Sequence, residues 1–93
     1  MKKQTIWKYP LEFQDVQTIR MPIGAEILTV QIQDGKPCLW AVVDVDDKVL
    51  TEPRFIIMYG TGHSMEVSSL DRKYIATFQT WELVYHVFEY IVK

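Results

Sequence analysis

The stretch AEILTVQIQDGKPCLWAVVDV, residues 25–45, spells out a complete β-hairpin. Asp34-Gly35 stands at its centre, and a tight two-residue turn needs left-handed backbone that this dipeptide tolerates. The turn fixes the register by counting: Gln33 faces Lys36, Val30 faces Leu39, Thr29 faces Trp40, Leu28 faces Ala41 and Ile27 faces Val42. One side of the ribbon then carries Leu28, Val30, Ile32, Leu39, Ala41 and Val43, which is a core. The other carries Ile27, Thr29, Gln31, Cys38, Trp40 and Val42, too apolar for an ordinary wet surface and too polar for a second interior. The pattern requires a cover over Trp40: another strand, a second subunit or a ligand.

With 93 residues, the chain reads as a single β domain over residues 1–93, large enough to bury roughly 60–65% of the surface its unfolded form exposes. A hydrophobic fraction of 48%, with 13% aromatic residues, supplies a core and leaves rings to spare. So many rings in so small an interior predict a homo-oligomer. The formal charge of −2 and the pI near 5.6 argue against general nucleic-acid binding, which rests on clustered Lys and Arg. A lone cysteine, Cys38, rules out an internal disulfide and fits a reducing compartment, so the expected location is the cytosol. Nothing resembles a signal peptide or a membrane span.

Outside the hairpin, residues 5–9 read as an edge strand ended by Pro10, and residues 17–21 as a short strand closed by Pro22-Ile23-Gly24. Residues 54–59 are nearly continuous in apolar side chains and predict a central strand covered on both sides. Residues 74–80 and 82–92 complete the set, the last apolar on both faces. Between them, residues 60–71 break the periodicity, with room for one helical turn at residues 66–70. The expected fold is all-β: a small antiparallel β-sandwich or barrel, a meander of six to seven strands with at most one short helical turn.

The sharpest local motif is Gly60-Thr61-Gly62-His63. Two glycines around a threonine after a buried strand are able to turn successive amides toward one point, an anion-binding nest. A plain tight turn needs glycine too, and the motif lacks both the lysine of a P-loop and the spacing of a dinucleotide fingerprint. His63, His86 and Cys38 are the whole supply of soft ligands and have no paired spacing, so no metal site is expected. Cys38 reads as a small half-buried hydrophobe and His86 as a hydrogen-bonded packing residue. Asp44, Asp46 and Asp47 lack the pattern of a calcium loop. No catalytic set emerges, and no cofactor is implied. The aromatic residues Trp7, Tyr9 and Trp40 suit either packing, a subunit boundary or stacking on a nucleobase.

The runs TIWKYPL (5–11), MPIGAEILTVQ (21–31), PCLWAVVD (37–44), GTGH (60–63) and VYHVFE (84–89) together resemble a family of short phage and prophage proteins classed as a domain of unknown function. The likeness spans nearly the whole chain and is weakest at residues 45–53. It implies a bacteriophage or mobile-element setting in a bacterial cytosol, where small proteins without catalytic groups often inhibit host defence. The resulting expectation is a non-catalytic protein that binds a small anionic ligand, a nucleotide signal of host antiviral defence. In it, Gly60, Thr61, Gly62 and His63 meet phosphate, Lys8 adds charge, and Trp7, Tyr9 or Trp40 stacks on a base. The alternative is a protein-binding module, an inhibitor of a host protein or a minor structural component, that docks through the Trp40 face.

Overall fold

A computed structural model describes residues 3–46, 48–65 and 71–91. Among these residues the fold is all-β: β1 (Gln4–Pro10), β2 (Val16–Pro22), β3 (Glu26–Gln33), β4 (Lys36–Asp44), β5 (Thr51–Gly60), β6 (Asp71–Thr80) and β7 (Leu83–Ile91). They form two antiparallel sheets, β1-β4-β3 and β2-β5-β7-β6. The arrangement is sandwich-like and does not close into a barrel. The helical turn expected at residues 66–70 lies outside the described residues.

Connectivity departs from a simple meander. Only β3–β4 and β6–β7 are hairpins between sequence neighbours, whereas β1 reaches across to β4 and β2 to β5. Pro53 is tolerated inside β5 because its partner on β2 is Arg20 while pairing with β7 starts only at Phe55. A proline there forfeits no ladder bond.

The hairpin forms around Asp34 (φ 52°) and Gly35 (φ 79°), both left-handed as the turn demands. Its register holds from Gln33–Lys36 to Thr29–Trp40 and then slips, so that Ile27 faces Ala41 and Glu26 faces Val42. Leu28 is the extra residue of a β-bulge. This corrects two expectations of the sequence: Leu28 is 43% exposed and not part of the core, and Ile27 packs against the core instead. A one-residue slip exchanges the two faces of a strand. The bulge performs that exchange for the first residues of β3 only.

The interior consists of Val30, Leu39, Ala41 and Val43 from the three-stranded sheet, against Met21, Ile56, Met58, Ala76, Phe78 and Val87 from the four-stranded one, closed by Leu11 and Ala25. Beneath one end lies an ion pair. The Arg54 guanidinium donates through Nε and Nη2 to the two Glu89 carboxylate oxygens, and through Nη1 to the Ala25 carbonyl at 2.8 Å. Glu89 is buried, and the bidentate pairing satisfies its charge. The hydrogen bond to Glu89, with added attraction from Glu89 and Glu52 against the opposing effect of burial, raises the Arg54 pKa above its ordinary value. Through Ala25, the pair ties the start of β3 to the opposite sheet.

Candidate functional site

Because Ile56, Met58, Val87, Ala76 and Phe78 face the core, the residues that alternate with them face outward. The ladder arranges these outward side chains in rows. Thr18, Phe55, Tyr90 and Arg72 form one row, Val16, Ile57, Phe88 and Tyr74 the next, and Tyr59, His86 and Thr77 a third. Edge-to-face contacts link the rings, with centroids 5.9 Å apart for Tyr59–Phe88 and 5.6 Å for Tyr74–Phe88, while Phe55 tilts against Tyr90 at 6.1 Å. The Arg72 guanidinium lies 6.0 Å from the Phe88 ring centroid, a cation–π placement. Phe55, Tyr59, Phe88 and Tyr90 are half-buried, and Tyr74 at the margin is 56% exposed. The sequence expects β5 to be covered on both sides, and on this side Ile57 is buried in the row that holds Phe88 and Tyr74.

A chain of hydrogen bonds crosses the third row. The Tyr74 hydroxyl and Thr77 Oγ1 are 2.7 Å apart, Thr77 Oγ1 and His86 Nδ1 3.0 Å, and His86 Nε2 and Thr61 Oγ1 2.7 Å. One ring nitrogen of a neutral imidazole donates and the other accepts. The two threonine hydroxyls answer both and hold the ring in place. His86 is thus half-buried and held in a fixed orientation, in keeping with the hydrogen-bonded packing residue that the sequence expects.

Charge on this face is one-sided. Among the described residues, the outward positions of the four strands hold Arg20 and Arg72 and no carboxylate, although the chain as a whole carries −2. Arg20 is fixed at the margin, donating to Thr51 Oγ1 at 3.1 Å and to the Thr51 carbonyl at 3.2 Å.

The Gly60 turn adjoins this face and supplies Thr61. The His63 N–H donates to the Gly60 carbonyl at 3.1 Å and the Thr61 N–H to the Val84 carbonyl at 3.2 Å, so two of the amides that would cradle a phosphate are committed within the protein. Gly62 adopts φ 87°, which is the demand a tight turn makes of glycine. The His63 ring lies over Gly60, where a Cβ would stand 2.8 Å from His63 Cε1. Gly60, Thr61 and His63 line an open cleft of about 230 Å³ with Glu82, Leu83, Val84 and Tyr85.

The other four expected residues stand on the three-stranded sheet. Lys8 faces Trp40 across the β1–β4 ladder, and both point away from the core that Leu39 and Ala41 enter. Lys8 Nζ donates to Gln33 Oε1 at 2.8 Å. In the register of the sheet this bridge passes diagonally over Cys38, which is buried. The Lys8–Gln33 bridge thus spans the Trp40 side of the sheet. Trp7 and Tyr9 fall on the opposite, core-facing side of β1. Trp7 remains 46% exposed, while Tyr9 packs on the core with its hydroxyl buried and, among the described residues, without a hydrogen-bond partner. Lys8 and Trp40 thus share one surface, the turn residues another, and Trp7 with Tyr9 a third.

Trp81 escapes the sequence reading. It occupies the β6–β7 turn with φ 56° and is 93% exposed, a backbone conformation rare for a bulky residue. The available signal is a turn, Thr80-Trp81-Glu82, with no glycine, asparagine or proline in it. The pairing of Arg54 with Glu89 is also missed; its signal is a lone carboxylate between Phe88 and Tyr90 in an apolar strand. This pair lies in a shallow cleft of about 660 Å³ edged by Glu52, Phe55, Lys73 and Tyr90. Among the described residues, no group of three His, Cys, Asp or Glu side chains is gathered as a metal site, and no helix is long and apolar enough to cross a membrane.

The model of a domain of unknown function, DUF7352, matches residues 2–93, and the chain belongs to that family. Neither a curated protein nor a solved structure matches it.

Proposed function

We propose that this protein is a non-catalytic binding module that holds a small anionic ligand with an aromatic moiety, of the nucleotide class, on the outer face of its four-stranded sheet. One observation carries the reading: a chain of net charge −2 keeps every outward position of that sheet, among the described residues, free of carboxylates while furnishing it with linked rings, two arginines and a histidine. Tyr59, Phe88 and Tyr74 offer ring faces and edges to a base, and Arg72 offers donors to an anion beside the His86 ring that Thr61 and Thr77 hold in place. Each base–aromatic stack contributes about 1–3 kcal/mol, so useful affinity needs no general basic excess. Thr61 belongs to this site through its hydroxyl on His86, and the Gly60 turn serves by presenting it.

The resemblance to phage proteins supplies the setting of the proposal, a host bacterial cytosol in which the ligand is a nucleotide signal of antiviral defence and binding sequesters it. Docking of a host protein on the Trp40 side is the weaker reading, because the Lys8–Gln33 bridge already occupies that surface. Isothermal titration against a panel of linear and cyclic nucleotides tests the proposal. We expect saturable binding by at least one of them and its loss in Phe88→Ala; no heat from any, with folded protein, rejects it.

A further inference from the structure

The free edge of β1 has a definite hydrogen-bonding polarity. Leu11 N–H donates to the Pro37 carbonyl at 2.8 Å and Val45 N–H to the Lys3 carbonyl at 3.0 Å, and the register between these two bonds runs without a shift. Hydrogen-bonded pairs in an antiparallel ladder recur at every second residue, so Thr5, Trp7 and Tyr9 also turn their backbone groups to β4. The N–H groups of Gln4, Ile6 and Lys8 therefore point off the strand's open side. With β1 outermost in its sheet, this row is a template for another strand.

Its side chains favour pairing as well. Ile6 is 57% exposed on the outer side, and Trp7 is 46% exposed on the core-facing side, where its own chain leaves it half uncovered. The corresponding free edge of the other sheet, β2, is better guarded. Gln17 folds the turn that precedes it back by bonding both the N–H and the carbonyl of Glu12.

We infer that β1 pairs antiparallel with β1 of a second copy of this chain, Trp7 opposite Trp7, joining the two three-stranded sheets into one. The register follows from the side chains. It sets Ile6 across from Lys8; a shift by one pair in one direction would put Lys8 against Lys8, a like-charge contact that opposes pairing, and in the other would put each Trp7 against Thr5 and lose the mutual cover of the two indoles. It also puts the two Trp7 residues at a non-hydrogen-bonded position, where side chains approach most closely, so each indole covers the other. The contact is self-complementary about a two-fold axis, as closed dimers require. That self-complementarity favours a second copy over a foreign strand.

This inference stands apart from the ligand reading, since it concerns the other sheet. Sedimentation or light scattering of the full chain should give a mass twice the 11.0 kDa of one chain. Ile6→Pro removes a donor that β4 does not use, so we expect monomers with an unchanged circular dichroism spectrum. Should that variant fail to fold, hydrogen exchange on the natural chain decides: the Ile6 and Lys8 amides should be protected like those of Trp7 and Tyr9. A monomeric natural chain, a dimer that survives Ile6→Pro, or freely exchanging Ile6 and Lys8 amides beside protected Trp7 and Tyr9 overturns it.

Discussion

The outer faces of the two sheets start from similar sequence patterns and end differently. On the three-stranded sheet, Trp40 and Cys38 interrupt a polar face, and a single lysine spans the gap to Gln33 and closes it. On the four-stranded sheet, Phe55, Tyr59, Phe88 and Tyr90 join Ile57 and Val16 in a broad apolar band, and the long side chains nearby are arginines at the margins. An apolar stripe on a strand thus becomes interior or surface according to which long polar residues flank it two strands away.

Below the second face, the largest effect should come from Arg54→Met. It leaves Glu89 charged and buried without a partner, and we expect a loss of about 3–5 kcal/mol in denaturant titration. Arg54→Met with Glu89→Met together should recover most of it, because two apolar side chains replace a satisfied pair. A double variant as unstable as the single one would show that the pair matters for more than its mutual neutralisation. The faces themselves are compared through binding. Tyr59→Ala or Phe88→Ala should weaken nucleotide binding by about 1–3 kcal/mol, and Trp40→Ala should leave it unchanged; the reverse pattern would exchange the roles of the two faces.

Two smaller tests concern the closed side. Burial raises the pKa of the Tyr9 phenol above its ordinary 10.0. The neutral form is therefore the one the fold accommodates, and its contribution is intact below pH 10.0 and lost as pH rises through the folded value. Tyr9→Phe removes a buried hydroxyl without a partner, so we expect a gain of up to about 1 kcal/mol near neutrality and a flatter decline of stability in alkali. Lys8→Ala should change stability by no more than about 0.5 kcal/mol. It should nevertheless speed labelling of the Cys38 thiol markedly, since the lysine stem is the lid.

The strands and the Asp34-Gly35 turn were legible because they follow from local rules: alternation, β-branching and a dipeptide suited to left-handed backbone. The bulge at Leu28 was not, since nothing in Ile27-Leu28-Thr29 distinguishes a regular strand from one with an extra residue; the buried partners Ala41 and Val43 decide it from outside. For the site, Gly60 to His63 announced a turn, and the turn is there, but its amides are spent on Val84 and Gly60. The rows of rings could not be read beforehand because they depend on β5 lying beside β7. That adjacency is a matter of topology, and a chain that alternates on both faces does not declare its neighbours.

The account rests on the outer face of β5, β6 and β7, free of carboxylates among the described residues, being where an aromatic anion is held. Titration of isotope-labelled protein with the tightest nucleotide from the panel, followed by backbone and aromatic chemical shifts, tests this directly. Changes centred on Tyr59, Tyr74, His86 and Phe88 are predicted, with Lys8 and Trp40 unmoved. Changes centred on Trp40 and Lys8, or saturating binding that leaves the four ring residues unshifted, would contradict it.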